Sequence, residues 1–108
     1  MNPNNNIFTW VEIPVTDFYR AKKFYESLLG LPIHESKIGE VLHGFWGHTE
    51  NSVGGAIVRE GTPSKTGTIV YFDGGEVLLD KTLIAKEIGY QGIFLDTEGN
   101  CLAFWSSK

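Results

Sequence analysis

A chain of 108 residues has room for one domain, or for two small modules that share a core. Its 42% hydrophobic and 20% charged content is ordinary for a soluble globular protein, and a net charge of −4 excludes the basic surface that sequence-independent nucleic-acid binding needs. No apolar run approaches the length of a membrane span and no charged-then-apolar signal precedes the first expected strand, so no membrane partner is expected. The single cysteine, Cys101, rules out an intramolecular disulfide framework and suits a reducing cytoplasm.

The leading Asn-Pro-Asn-Asn-Asn is polar and reads as a frayed end. From Ile7 to Val15 the chain alternates, which predicts a strand. Ile7, Val11, Ile13 and Val15 share an aliphatic face suited to packing on a helix; Phe8, Trp10, Glu12 and Pro14 share the other. Thr16 or Asp17 caps the next element. Ala21, Phe24, Tyr25, Leu28 and Leu29 recur at helical spacing, Lys22, Lys23 and Glu26 fall on the solvent side, and Gly30 ends the helix. A short strand follows over Leu31 to Glu35, then strands over Glu40 to Trp46 and Val53 to Arg59 with a turn over 47–52. This is a βαβββ module.

Residues 61–67, Gly-Thr-Pro-Ser-Lys-Thr-Gly, form a linker of turn formers. Thr68 to Phe72 reads as the next strand, and Gly92 to Leu95 with Cys101 to Trp105 as a closing hairpin around residues 96–100. The second half thus begins and ends like another such module, over 68–108, although no sequence repeat links the halves. Its middle admits two readings: a strand over Glu76 to Ile84 with no crossover helix, or a helix over Glu76 to Ile88 with a strand missing.

Val11 to Asp17, Arg20-Ala21, Phe24-Tyr25, Leu29-Gly30-Leu31 and the Asp96-Thr97-Glu98-Gly99-Asn100 hairpin together resemble the glyoxalase/bleomycin-resistance/dioxygenase group, the vicinal-oxygen-chelate superfamily. The resemblance covers nearly the whole chain. It implies an α+β fold: βαβββ modules whose mostly antiparallel mixed sheet forms a cavity, here with a second module lacking its helix. It also favours the strand reading of Glu76 to Ile84, whose flanking residues match the group better. On that reading three residues, Asp73-Gly74-Gly75, connect strands at opposite edges of a sheet, roughly 14 Å apart. They cannot span that, so either the two strands form a simple hairpin and the second sheet is rebuilt, or the segment crosses to a second chain; a homodimer is expected.

Enzymes of the group hold a divalent metal with His and Glu side chains on inward strand positions. The resemblance places Trp10, Thr68 and Ala103 at three of these, and the strand around residues 54–58 offers no His, Asp or Glu for the fourth. Trp and Ala carry no usable donor and Thr is a poor neutral ligand, so no metal site of the family type is expected. No nucleotide, flavin or haem fingerprint is present, so no such cofactor is expected either.

Glu12 shares a strand face with Trp10 and is the candidate acid, base or ligand anchor; a structural hydrogen bond is the plainer alternative. Trp10, Trp46 and Trp105, with Phe8, Phe72, Thr68 and Ala103, would line the cavity. Aromatic walls stack on planar ligands, or simply fill the space a metal would occupy. His34, His43 and His48 lack metal-ligand spacing and read as ordinary histidines. Cys101 has no histidine argued beside it, Gly54-Gly55 and Gly74-Gly75 lack phosphate-loop spacing, and residues 96–100 read as a turn rather than a calcium loop.

Three functions are therefore carried forward. The first is a metal-independent, cytoplasmic protein that binds a planar or apolar organic compound, as bleomycin-resistance proteins of the group do. The second is a small lyase or isomerase using Glu12 as acid or base. The third is a protein-interaction module.

Overall fold

The computed structural model describes residues 7–47, 53–73, 82–85 and 89–106, with the backbone alone at 82–85, 89, 90 and 106. It divides into two compact units, Met1–Pro63 and Ser64–Lys108. The architecture is α+β, with one helix among the described residues and two four-stranded mixed sheets. No helix among the described residues is long and apolar enough to cross a membrane.

In the first unit the strands are β1 (Trp10–Pro14), β2 (Ile33–Ile38), β3 (Val41–Trp46) and β4 (Gly54–Val58), in spatial order β1-β4-β3-β2. β1 runs parallel to β4, and the other neighbours are antiparallel. Helix α1 (Phe18–Leu29) makes the crossover from one edge of the sheet to the other. Its ends follow from local chemistry. Asp17 is the N-cap, its carboxylate accepting the Arg20 N–H at 3.1 Å, and Gly30 closes the helix in the left-handed region at φ 66°. Phe18, Ala21 and Tyr25 are buried, as are Ile13, Val15, Ile33 and Ile57. Gly44 lies between them: a Cβ there would come within 2.7 Å of Ile33 and 2.9 Å of Ile57. Glu26, half-buried on α1, accepts the Ile33 N–H at 2.9 Å and faces Lys22 at 3.4 Å. The Ile33 N–H, helped by Lys22, holds its carboxyl below the usual carboxylate range.

The second unit repeats that topology. Its strands are β5 (Tyr71–Asp73), β6 (Thr82–Ala85), β7 (Gly89–Leu95) and β8 (Cys101–Ser106), in order β5-β8-β7-β6, again with the first strand parallel to the last. One face carries Phe72, Phe94 and Phe104, with Phe104 stacked on Phe94 at 5.3 Å. The other carries Tyr71, Ile93, Leu95, Cys101, Ala103 and Trp105. The Asp96–Asn100 turn is tied internally. Asp96 accepts the backbone N–H groups of Glu98 and Asn100, each at 2.8 Å, and Asn100 Nδ2–H at 2.9 Å; Asn100 Oδ1 accepts the Ser64 N–H at 2.9 Å. The acidic loop is a turn whose carboxylate is spent on its own backbone.

Several strand bounds differ from the sequence expectation. β1 starts at Trp10, not Ile7, because its ladder partner β4 begins at Gly54, opposite Trp10; Ile7 and Phe8 are exposed. β2 is Ile33–Ile38 rather than Leu31 to Glu35, and Glu40 sits with Gly39 (φ 63°) in the two-residue turn to β3. β5 begins at Tyr71, which leaves Thr68 in the exposed segment before it.

Thr82–Ala85 is a strand, which excludes a helix running unbroken from Glu76 to Ile88; residues 76–81 and 86–88 lie outside the described residues. Parallel strands β5 and β6 do occupy opposite sheet edges. β6 is described over Thr82–Ala85, and residues 74–81, which join it to β5 and carry the start of the expected strand, lie outside the described residues. The expected frayed end (1–6), the turn carrying His48 and Glu50, and Gly74-Gly75 also lie outside the described residues.

Candidate functional site

β4 is the middle of a three-strand stretch, flanked by β1 and β3, and on one face it presents only Gly54, Ala56 and Val58. The register sets Trp10 opposite Gly54 and Glu12 opposite Ala56 from one side. From the other it sets Phe45 opposite Ala56 and His43 opposite Val58. Strands two apart are separated by about 9.6 Å, so long side chains meet only by leaning over the strand between. Glycine and alanine leave room for that.

The four side chains do meet. Trp10 and Phe45 have ring centroids 5.8 Å apart at 50°. His43 stacks on Phe45 at 5.6 Å and 17°. Trp10 Nε1–H donates to Glu12 Oε2 at 3.2 Å, and His43 Nε2 stands 3.9 Å from the same oxygen. His43 Nδ1 lies 3.0 Å from the Val41 carbonyl, which can only accept, so Nδ1 carries the proton in the neutral ring and Nε2 faces Glu12 bare. The His43 side chain is 12% exposed and that of Glu12 51%, while Trp10 is 40% exposed. The arrangement is an aromatic shelf with a half-exposed carboxylate at its edge and an imidazole held behind it. It can stack on a flat molecule and hold a donor or a positive charge.

The predicted lining residues do not form one group. Trp10 and Glu12 belong to this cluster; Phe8 is exposed just before β1. Trp46 does not join them. It pairs with Gly55 and shares the opposite sheet face with Val11, its indole so close over Gly55 that a Cβ there would meet the ring at 2.3 Å. In the second unit Ala103 and Trp105 share one face, Ala103 fully buried and Trp105 partly exposed. Phe72 lies on the other face, against Phe104 at 5.9 Å. Thr68 is exposed and outside any strand.

Sequence reasoning missed His43 and Phe45. Their i, i+2 spacing was a usable sign that they share a strand face. Their approach to Trp10 and Glu12 depends on a non-local register across β4.

A family-type metal does not fit these residues. Among the described residues no three His, Cys, Asp or Glu side chains converge as a metal site requires, and Glu12 with His43 supplies two donors.

Residues 8–40 match the family described as bleomycin resistance protein-like N-terminal. No curated protein matches the sequence significantly. The fold is similar to that of UcmS2 (TM-score 0.65, 18% identity, covering 96% of this chain and 99% of that one). It is similar to a lactoylglutathione lyase from Agrobacterium tumefaciens (TM-score 0.63, 12% identity, 97% and 96%). It is also similar to TnmS3, an antibiotic binding protein from Streptomyces sp. CB03234 (TM-score 0.62, 15% identity, 95% and 97%).

Proposed function

We propose that this chain, whose fold is that of glyoxalase/bleomycin-resistance proteins and whose residues 8–40 match a bleomycin resistance protein-like family, is a member of that superfamily and a metal-independent binding protein for a planar or apolar organic compound. The carrying observation is the shelf of Trp10, His43 and Phe45 beside the Glu12 carboxylate. A structural neighbour described as an antibiotic binding protein supports the same reading. Stacking on an exposed indole supplies affinity without any metal, and the carboxylate gives orientation. Calorimetric titration of metal-free protein with a panel of planar compounds tests this. Saturable binding that Trp10→Ala abolishes is expected; no binding by any compound overturns the proposal.

The exposed apolar face of Tyr71, Ile93, Leu95 and Trp105 supports assembly as a homodimer, which belongs to the same proposal. Native mass spectrometry decides it by mass: a dimer supports it and a monomer across the micromolar range refutes it. A cytoplasmic location is likewise proposed, on the lone Cys101.

One observation favours a second reading. His43 Nε2 and Glu12 Oε2 are close enough to exchange a proton through a bound molecule, as a lyase or isomerase acid–base pair would. Under that reading Glu12→Gln abolishes turnover of a bound compound instead of only weakening its affinity.

A further inference from the structure

Besides the Trp10 indole N–H, which donates to Oε2 at 3.2 Å, two groups can claim the Glu12 carboxylate. One is the His43 imidazole. Its Nδ1–H is committed to the Val41 carbonyl at 3.0 Å, its ring is stacked on Phe45, and its side chain is 12% exposed. These contacts hold the ring in place and leave Nε2 facing Glu12, 3.9 Å from Oε2. The other claimant is whatever occupies the shelf. With His43 neutral, a bare nitrogen and a carboxylate oxygen face the same space beside two aromatic rings, an environment that attracts positive charge. A proton on Nε2 turns that pair into an ion pair and removes the attraction.

Among the described residues, the other elements of the unit do not compete for His43. β4 sets Val58 opposite it, and β2 sets Ser36 opposite it, with His34 on the same face two residues along. Glu35 and Lys37 alternate to the other face of β2, and Glu35 accepts the Tyr19 hydroxyl at 2.9 Å. Arg59 and Glu60, just past β4, line a separate hollow with Val15 and Thr16. Among the described residues of this unit, Glu12 is the charged group placed to pair with His43.

Resting on the binding reading above, we infer that the site takes a planar compound bearing a fixed positive charge, and that a proton on His43 competes with that charge for Glu12. Protonation of His43 then weakens binding of the cation.

The test is calorimetric titration at pH 8 and at pH 5 with two probes: (naphthalen-2-ylmethyl)trimethylammonium, whose charge does not vary with pH, and the neutral 2-naphthalenemethanol. The cationic probe should bind about fivefold more weakly at pH 5 than at pH 8. The neutral probe should bind equally at both, which also verifies that the fold persists in acid. His43→Phe should bind the cation with no pH dependence, and His43→Gln gives the same reading if the larger substitution disturbs β3. Glu12→Gln should bring the cation down to the neutral probe's affinity at every pH. A flat profile for the cation, an equal fall for both probes, or a pH dependence retained in both His43 variants overturns the inference while leaving ligand binding intact. Failure of both probes at every pH overturns the binding reading and this inference with it.

Discussion

Glu12 accepts the indole N–H of Trp10 at 3.2 Å, so a carboxylate and a tryptophan two residues apart on one strand face form a single unit at the edge of the aromatic shelf. Both are substantially exposed, so the pair contributes little to folding. Glu12→Gln should leave stability within about 0.5 kcal/mol of the parent in urea denaturation. The same variant should lose affinity for donor-bearing or cationic ligands. A large loss of stability would mean that Glu12 is part of the scaffold.

Gly55 is a different matter. A Cβ at this position would lie 2.3 Å from Trp46 Cζ2 and 2.5 Å from the Val11 carbonyl oxygen, and the carbonyl belongs to the paired strand and cannot turn aside. Gly55→Ala should destabilise the protein by about 2–4 kcal/mol, read as a lower denaturant midpoint. Gly30→Ala meets no atom within 4 Å but must hold φ 66°, so it should cost about 1 kcal/mol.

In the second unit Asn100 joins the closing hairpin to the start of the unit, donating to Asp96 and accepting from Ser64. Both Asp96 and Asn100 are buried. Asn100→Ala leaves Asp96 Oδ2 and the Ser64 N–H short of these partners, for an expected loss of about 1–3 kcal/mol in chemical denaturation.

Acid should weaken the helix–strand junction at Glu26. Its carboxyl is held below its ordinary value of 4.5, chiefly by the Ile33 N–H and then by Lys22. A depressed folded-state value contributes stability that is present above 4.5 and is lost as pH falls through the lowered value. The denaturation midpoint of the parent should therefore fall more steeply below pH 4.5 than that of Glu26→Gln. Identical acid limbs would show that the Ile33 bond does not persist in solution.

The sequence made the helix legible because its determinants are local: an Asp17 cap, apolar residues at helical spacing and Gly30 at the left-handed stop. Strand parity was legible too. Trp10 and Glu12 share the shelf face, while Ile13 and Val15 are buried. The cross-strand register was not. Whether Phe45 or Trp46 meets Trp10 depends on how β3 aligns with β4, and an offset of one residue exchanges the faces. For that reason the sequence alone does not separate Trp46 from His43 and Phe45 as neighbours of Trp10. The start of β6 is not legible for a related reason: residues 76–84 contain no Gly or Pro to mark it.

The central claim is that the Trp10 shelf binds a planar organic molecule without a metal. The most direct test is calorimetric titration of chelator-treated protein with planar aromatic compounds, repeated after adding a divalent metal and in Trp10→Ala. The account predicts saturable binding to the metal-free protein, unchanged by metal and abolished in Trp10→Ala. Binding that appears only once metal is added, or that survives Trp10→Ala undiminished, would contradict it.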